Sequence, residues 1–242
     1  MRRPPPAPSL VAVLACALCA GAGPAADAGG SLPPAQHRRA LQVPRGRAIA
    51  ELTAARCRRL LAAHGVAFEA VERGDAPGVA QPVLLSGPLG EVSIAHRGRS
   101  RRHSVLDCRL AIALLSWAPE LRAAGIVRIE HFSIYRPSAR VRETGEPSGH
   151  AAGLAIDAGR FVKANGEVLA VEEQWTDRRR GVAPCPPPDG AEPEGQRLLR
   201  GLVCAAVARD LFQVVVTPHA NDEHRNHVHL EVRPGVDWTH VR

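Results

Sequence analysis

Residues 221–232, N-D-E-H-R-N-H-V-H-L-E-V, constrain this chain more than any other stretch. Residues 228–232 read as a strand. Side chains alternate faces along a strand, so His227 and His229 share one face while Val228 and Leu230 take the other. Glu231 joins the histidine face by the same parity. Two imidazoles on one strand face can bind a metal or pass a proton. In a chain with eleven histidines, the pattern alone fits solvated or hydrogen-bonded histidines equally well.

A second constellation, S-G-H-A-A-G-L-A-I-D from Ser148 to Asp157, changes that balance. His150 and Asp157 flank a turn centred on Gly153. They can meet at one point only if the loop folds back, which Gly153 permits. Taken alone, the pair also fits a surface loop and a structural aspartate. With the histidine cluster, it offers one imidazole and one carboxylate, and the last strand can add a third ligand. Three N and O ligands with an open position for water is the arrangement of a catalytic zinc site.

The N-terminus reads as a secretory leader over residues 1–28. Arg2 and Arg3 precede an apolar run over residues 9–23 that is too short to span a bilayer, and two small-x-small sites follow, Ala20-Gly21-Ala22 and Ala26-Asp27-Ala28. A retained anchor helix, or lipid attachment at Cys16, is the alternative; Leu14 fits a lipidation site poorly. Residues 29–46, rich in Gly, Ala and Pro, read as a flexible linker. Residues 47–242 then form one folded domain, an ordinary size for a single core. Cys16 and Cys19 leave with the leader. Four cysteines remain, an even number that suggests disulfides in an exported chain and allows three pairings. Joining neighbouring segments favours Cys57–Cys108 and Cys185–Cys204. No C-x-x-C spacing supports a zinc knuckle among them.

The net charge is +7 and Lys163 is the only lysine. A basic surface of arginines suits solvation, or an anionic polymer such as a bacterial cell wall. No aromatics interleave the arginines and no nucleic-acid motif appears, which argues against nucleic acid. Aromatics make up 3% of the chain, so Ala, Val and Leu must do most of the packing.

Helical periodicity covers residues 48–64, 105–124 and 196–209, with Pro119 as a kink or restart in the second. Strands are expected at residues 67–71, 83–85, 92–95, 126–135, 153–162, 212–217 and 228–232. Asn165-Gly166 marks a hairpin that returns through residues 168–171. Residues 97–102, 136–149 and 178–194 read as loops. This mixture predicts an α+β fold, a central, mainly antiparallel sheet with flanking helices in a single domain.

These motifs carry a resemblance. S-x-H-x-x-G-x-A-x-D followed by H-x-x-H-x-H is similar to the motifs of zinc peptidases that cut bacterial cell-wall peptides. Those are the D-Ala-D-Ala carboxypeptidases and the penicillin-insensitive murein endopeptidase, whose fold is shared with the hedgehog signalling domain. Closer still, the chain resembles bacterial extensin-like C-terminal domain proteins. That match runs in order through the helix around Cys57, D-C-R-L-A-I-A-L-L-S-W at 107–117, S-I-Y-R at 133–136, the His150/Asp157 motif, V-C-A-A-V-A-R-D-L-F at 203–212, and the final histidines.

The resemblance implies a zinc ion held by His150, Asp157 and His229. It implies His227 as general base or proton shuttle, with His224 in support. Arg136 would bind a substrate carboxylate or the oxyanion, though alone it also fits a surface arginine, and Ser148 would line the substrate. Tyr135, the only tyrosine of the chain, fits either a hydroxyl lining the site or a packed aromatic. Many relatives carry a Glu three residues before the last ligand; here that position is Asn226, which cannot act as a base, so histidines must take that work. Glu223 is a reserve. Relatives also often carry cysteines near residues 78–82 and beside the Y-R element, both absent here.

The function expected is hydrolysis of peptidoglycan peptide bonds by an exported zinc enzyme, periplasmic or extracellular and not stably inserted in a membrane. Two other readings compete. One is a non-catalytic, zinc-containing module that binds peptidoglycan or another cell-wall polymer. The other is a metal hydrolase of another class, which would need more carboxylates at the site than Asp222 and Glu231 provide.

Overall fold

A computed structural model describes residues 42–185 and 192–242. The expected leader and residues 29–41 of the linker lie outside the described residues. Among the described residues a 3-10 turn at Gly46–Ile49 comes first, followed by α1 (Ala54–Ala63), β1 (Phe68–Ala70), β2 (Pro82–Leu85), β3 (Ser93–His96) and β4 (Leu106–Asp107). Then come α2 (Cys108–Ala123), β5 (Ile126–His131), β6 (Ala155–Lys163), β7 (Val168–Ala170) and the short α3 (Val171–Gln174). α4 (Glu194–Ala208), β8 (Val214–Val216), β9 (Val228–Glu231) and β10 (His240–Val241) complete it.

The main sheet has the order β10-β8-β9-β6-β5-β3, with β7 paired to β6. Its central pairs are antiparallel, and β3 with β5 and β10 with β8 are parallel. A smaller sheet has the strand order β1-β2-β4. The expected α+β architecture with a mainly antiparallel sheet is therefore present. The small sheet and β10 are additions that the sequence reading did not anticipate.

One face of the main sheet lies in the core. Ile156, Ala158, Val215, Val228 and Leu230 are buried there with the residues of α2 and α4. Trp117 of α2 packs edge-on against Phe161 and Phe212, and its indole N–H donates to the Leu202 carbonyl at 3.1 Å. Ile156, Ala158 and Phe161 do not share strand parity, yet all are core residues. The register slips between Glu130–Arg160 and His131–Ala158, leaving Gly159 as the extra residue of a bulge. A bulge resets which residues face inward.

Several element boundaries differ from those expected. The first helix starts at Ala54, where Thr53 caps it by accepting from the Arg56 N–H. The second starts at Cys108, capped by Asp107, whose carboxylate accepts from the Arg109 N–H at 3.1 Å. It runs unbroken through Pro119, and Arg209 donates to the Ser116 carbonyl in that turn at 2.7 Å. The strand expected over 126–135 ends at His131. Both expected disulfides are present: Cys57–Cys108 joins α1 to the first residue of α2, and Cys185–Cys204 fastens the proline-rich loop to α4. Among the described residues, no helix is long and apolar enough to cross a membrane.

Candidate metal centre

The face of the sheet opposite the core carries the site. Asp157 of β6 and His229 of β9 are direct cross-strand partners. Side chains of such a pair stand about 5 Å apart at Cβ, close enough to share a small ligand. The third group comes from a 3-10 turn at Gly149–Ala152, which is capped by Ser148 and ended by Gly153. Gly153 sits at φ +63°, and a Cβ there would lie 3.0 Å from the Asp107 nitrogen. Only a glycine fits that left-handed, crowded position, so the loop folds back as its sequence required and lowers His150 onto the sheet.

His150 Nε2, Asp157 Oδ1 and His229 Nδ1 form a nearly equilateral triangle with sides of 2.9, 3.1 and 3.2 Å. All three residues are buried. Each imidazole is pinned from behind. His150 Nδ1 lies 2.8 Å from the Ile134 carbonyl, which only accepts, so Nδ1 carries the proton. His229 Nε2 lies 3.3 Å from Glu231 Oε2 and donates to it. In their neutral forms both rings therefore turn a bare nitrogen toward an ionised carboxylate oxygen.

Three converging lone pairs repel one another unless a cation stands between them. The donor set and spacing fit zinc: a tetrahedron with bonds of about 2.05 Å has edges of about 3.3 Å, and N and O ligands are those zinc takes. The two outward contacts, to a backbone carbonyl and to a carboxylate, are the kind that orient metal-binding histidines. A zinc ion held by these three residues would keep one position for water or substrate. Asp157 is further held by the Ser133 hydroxyl, which donates to Oδ2 at 2.9 Å.

Without a cation the same groups must share protons. Burial pushes Asp157 upward, but the imidazoles of His150 and His229 outweigh it and hold the carboxyl well below its usual range. Burial likewise opposes a charge on His229, yet its hydrogen bonds to Asp157 and Glu231 prevail and raise it to about 9. His150 moves the other way, lowered chiefly by burial.

His227 stands at the edge of this triangle. Its Nε2 is 3.4 Å from Asp157 Oδ1, and its Nδ1 donates to the Asn226 side-chain oxygen at 2.8 Å. Burial lowers it to about 4, so it is neutral at pH 7 with Nε2 bare. Phe132 packs edge-on against its ring. His224 lies beyond, its ring 4.9 Å from that of His227, and donates from Nδ1 to Asn221 at 2.6 Å. Arg136 lies at the rim, half-exposed, with Nη2 3.9 Å from Asp157 Oδ2.

The structure thus brings together His150, Asp157, His229, His227, His224 and Arg136. Ser148 lies beside them as a buried cap whose hydroxyl accepts from the His150 N–H at 3.3 Å. Tyr135 is not brought to the centre: it is fully buried among Ala76, Val79 and Val105, and its hydroxyl donates to the Pro77 carbonyl at 2.7 Å. Glu223 pairs with Arg142, and Asp222 pairs with Arg180. Neither carboxylate is part of the triangle.

Sequence reasoning missed the residues that hold the histidines. Asn226 figures there as a missing glutamate, whereas in the fold it orients His227. Asn221, Ser133 and the Ile134 carbonyl carry no motif; the asparagines' positions beside histidines were the available signal.

The comparisons agree with the order of motifs. Searches of curated proteins and of solved structures each give no match. The family model described as "Extensin-like protein C-terminus" matches residues 55–241, which include both disulfides and every residue of the site. The chain belongs to the extensin-like protein C-terminus family.

Proposed function

We propose that this protein is an exported zinc-dependent hydrolase of peptidoglycan peptide bonds, of carboxypeptidase or endopeptidase type, on a fold like that of the hedgehog and D-Ala-D-Ala peptidase domains. One observation carries the reading: three buried ligand atoms, two of them imidazole nitrogens whose rings are fixed from behind, lie at 2.9–3.2 Å from one another around one point. Export is supported by the two disulfides, which persist in oxidising compartments, and by the leader-like N-terminus.

His150, Asp157 and His229 would hold the zinc. When bound, it supplies Lewis-acid polarisation of a carbonyl and a lowered pKa for water. The remaining work falls to the chain. His227, neutral at pH 7 and kept by Asn226 in the tautomer with Nε2 bare, accepts the proton of the attacking water and returns it to the leaving amine. His224 supports it, its ring packed 4.9 Å away. Arg136, half-exposed at the rim, offers its planar fork of donors to a peptide carboxylate.

The test is zinc content together with mass analysis of muropeptides before and after incubation with the purified protein. We expect one zinc per chain, new muropeptide masses, and loss of both in His229→Ala. A zinc-free wild type, or undiminished cutting by that variant, would defeat the proposal. A second reading is favoured by Asn226: an amide stands at that position, and the nearby carboxylates are engaged elsewhere, Glu223 by Arg142 and Glu231 by His229 and Arg233. On that reading the protein binds zinc and cell wall without cutting, and muropeptide masses stay unchanged at full zinc occupancy.

A further inference from the structure

The two histidines of the triangle present different nitrogens, His150 its Nε2 and His229 its Nδ1. A neutral imidazole has one bare nitrogen, and the partner of the other nitrogen selects which it is. For His150 the selector is a backbone carbonyl. For His229 it is a side chain that the proposed function leaves unused. We propose that Glu231 is the positioning residue that makes His229 an Nδ1 ligand, and that residue 149 is glycine to leave room for it. This inference rests on the metal-centre reading above.

The geometry excludes a more direct role. Glu231 Oε2 sits behind His229, 3.3 Å from Nε2, and Oε1 accepts from Arg233 Nε at 2.8 Å. Both oxygens are therefore engaged away from the triangle, which Glu231 does not join. His229, Glu231 and Arg233 occupy alternate positions running out from β9, so ligand, selector and anchor line up along one face. Glu231 is 5% exposed. Burying a carboxylate is costly unless it is paired, and here it is paired at both ends.

Gly149 supplies an independent observation. Its φ is an ordinary one, so its backbone does not require glycine. A Cβ at 149 would instead lie 2.5 Å from Glu231 Oε2. The turn that carries one ligand thus rests directly on the carboxylate that orients the other. Any side chain at 149 must push the carboxylate off His229 or lift His150 from the sheet.

The test compares Glu231→Gln, Glu231→Leu and Gly149→Ala in the full chain. Zinc affinity is measured by chelator competition, ligand geometry by the visible spectrum of the cobalt(II)-substituted protein, and fold by melting of the chelator-treated protein. Glu231→Leu and Gly149→Ala should weaken zinc binding by about 10–100-fold, the range for lost outer partners of metal ligands, and alter the cobalt spectrum. Glu231→Gln keeps an oxygen that accepts from Nε2–H, so it should retain the wild-type spectrum and recover most of the affinity. Should Glu231→Leu not fold, Gly149→Ala and Glu231→Gln still make the comparison. A wild type that takes up no zinc overturns the metal-centre reading itself. A wild type that binds one zinc, with Glu231→Leu or Gly149→Ala binding equally tightly, overturns only the role of Glu231.

Discussion

His229 is the residue on which the chemistry of the site turns, because it must lose a proton before it can bind a cation. Its value of about 9 lies above the ordinary one, so in the metal-free protein it is protonated at pH 7, whereas His150 and His227 are lowered and already neutral. Zinc uptake at pH 7 should therefore release about one proton, and affinity should rise about tenfold per pH unit up to about pH 9 before levelling. Calorimetry in buffers of different ionisation enthalpy measures this; uptake without proton release would contradict it. His131 makes the opposite case. It is fully buried, neither ring nitrogen has a hydrogen-bond partner among the described residues, and burial first, with His96 adding, lowers it to about 3. Between about pH 3 and 6.5 the folded ring stays neutral while the unfolded chain takes up a proton. Stability from this residue is thus fully present above pH 6.5 and is lost as pH falls toward 3, by up to about 1.4 kcal/mol per unit. His131→Leu should flatten that slope, and urea midpoints for both proteins at pH 7 and pH 5 would show it. Residues of this kind mark the limit of the sequence. His150, Asp157 and His229 were legible as candidates because their residue types and spacing form a recognisable set, and the fold brings their ligand atoms together. His131 was not, since nothing local distinguishes a buried histidine from a liganding one.

Among the elements, the single strand expected over 126–135 shows how far a pattern reaches and where it stops. Its alternation correctly marks a strand, and the ladder breaks at the Gly159 bulge, which the alternation does not reveal. Beyond the break the Phe132 N–H still donates to the Asp157 carbonyl, and the Asp157 N–H to the Ser133 carbonyl, at 3.0 and 3.1 Å. Ile134 and Tyr135 then donate to the His103 carbonyl, and the Ile134 carbonyl turns to receive His150. A regular strand would have spent that carbonyl on its neighbour, so the irregularity supplies a support of the site. β10 escaped notice for a different reason. Its two residues pair in parallel with a strand more than twenty positions earlier, which leaves no local signal. The bulge itself can be tested. A Cβ on Gly159 would lie 2.6 Å from Phe132 Cε2, and the Phe132 ring packs against both His227 and Arg97. Gly159→Ala should cost about 1–3 kcal/mol by overpacking and shift His227 while leaving the three ligands in place. We expect zinc stoichiometry unchanged, a lower melting temperature and slower peptide release; zinc loss in this variant would instead place the strain on Asp157.

Across the whole molecule, two disulfides brace different parts of the chain. Cys57–Cys108 closes a separation of 51 residues and Cys185–Cys204 one of 19. On loop entropy alone these are worth about 4 and about 3 kcal/mol, so replacing the first pair by alanines should lower the urea midpoint more than replacing the second. The first disulfide holds the start of α2, where the Asp107 N–H donates to the Gly153 carbonyl at 2.8 Å, and so it steadies the turn that carries His150. Zinc would act at a longer range. His150 and His229 are 79 positions apart and meet only in the folded chain, on an arch that joins the 3-10 turn, β6 and β9. A ligand that binds only the native state stabilises it by mass action, by about 4 kcal/mol at a thousand times its dissociation constant. The oxidised protein should therefore unfold at a higher temperature with zinc than after chelation. The shift should grow with zinc concentration and vanish in Asp157→Ala, which removes the one ligand carrying the charge. Coincident melting curves with and without zinc would mean that the buried triangle is held by shared protons alone.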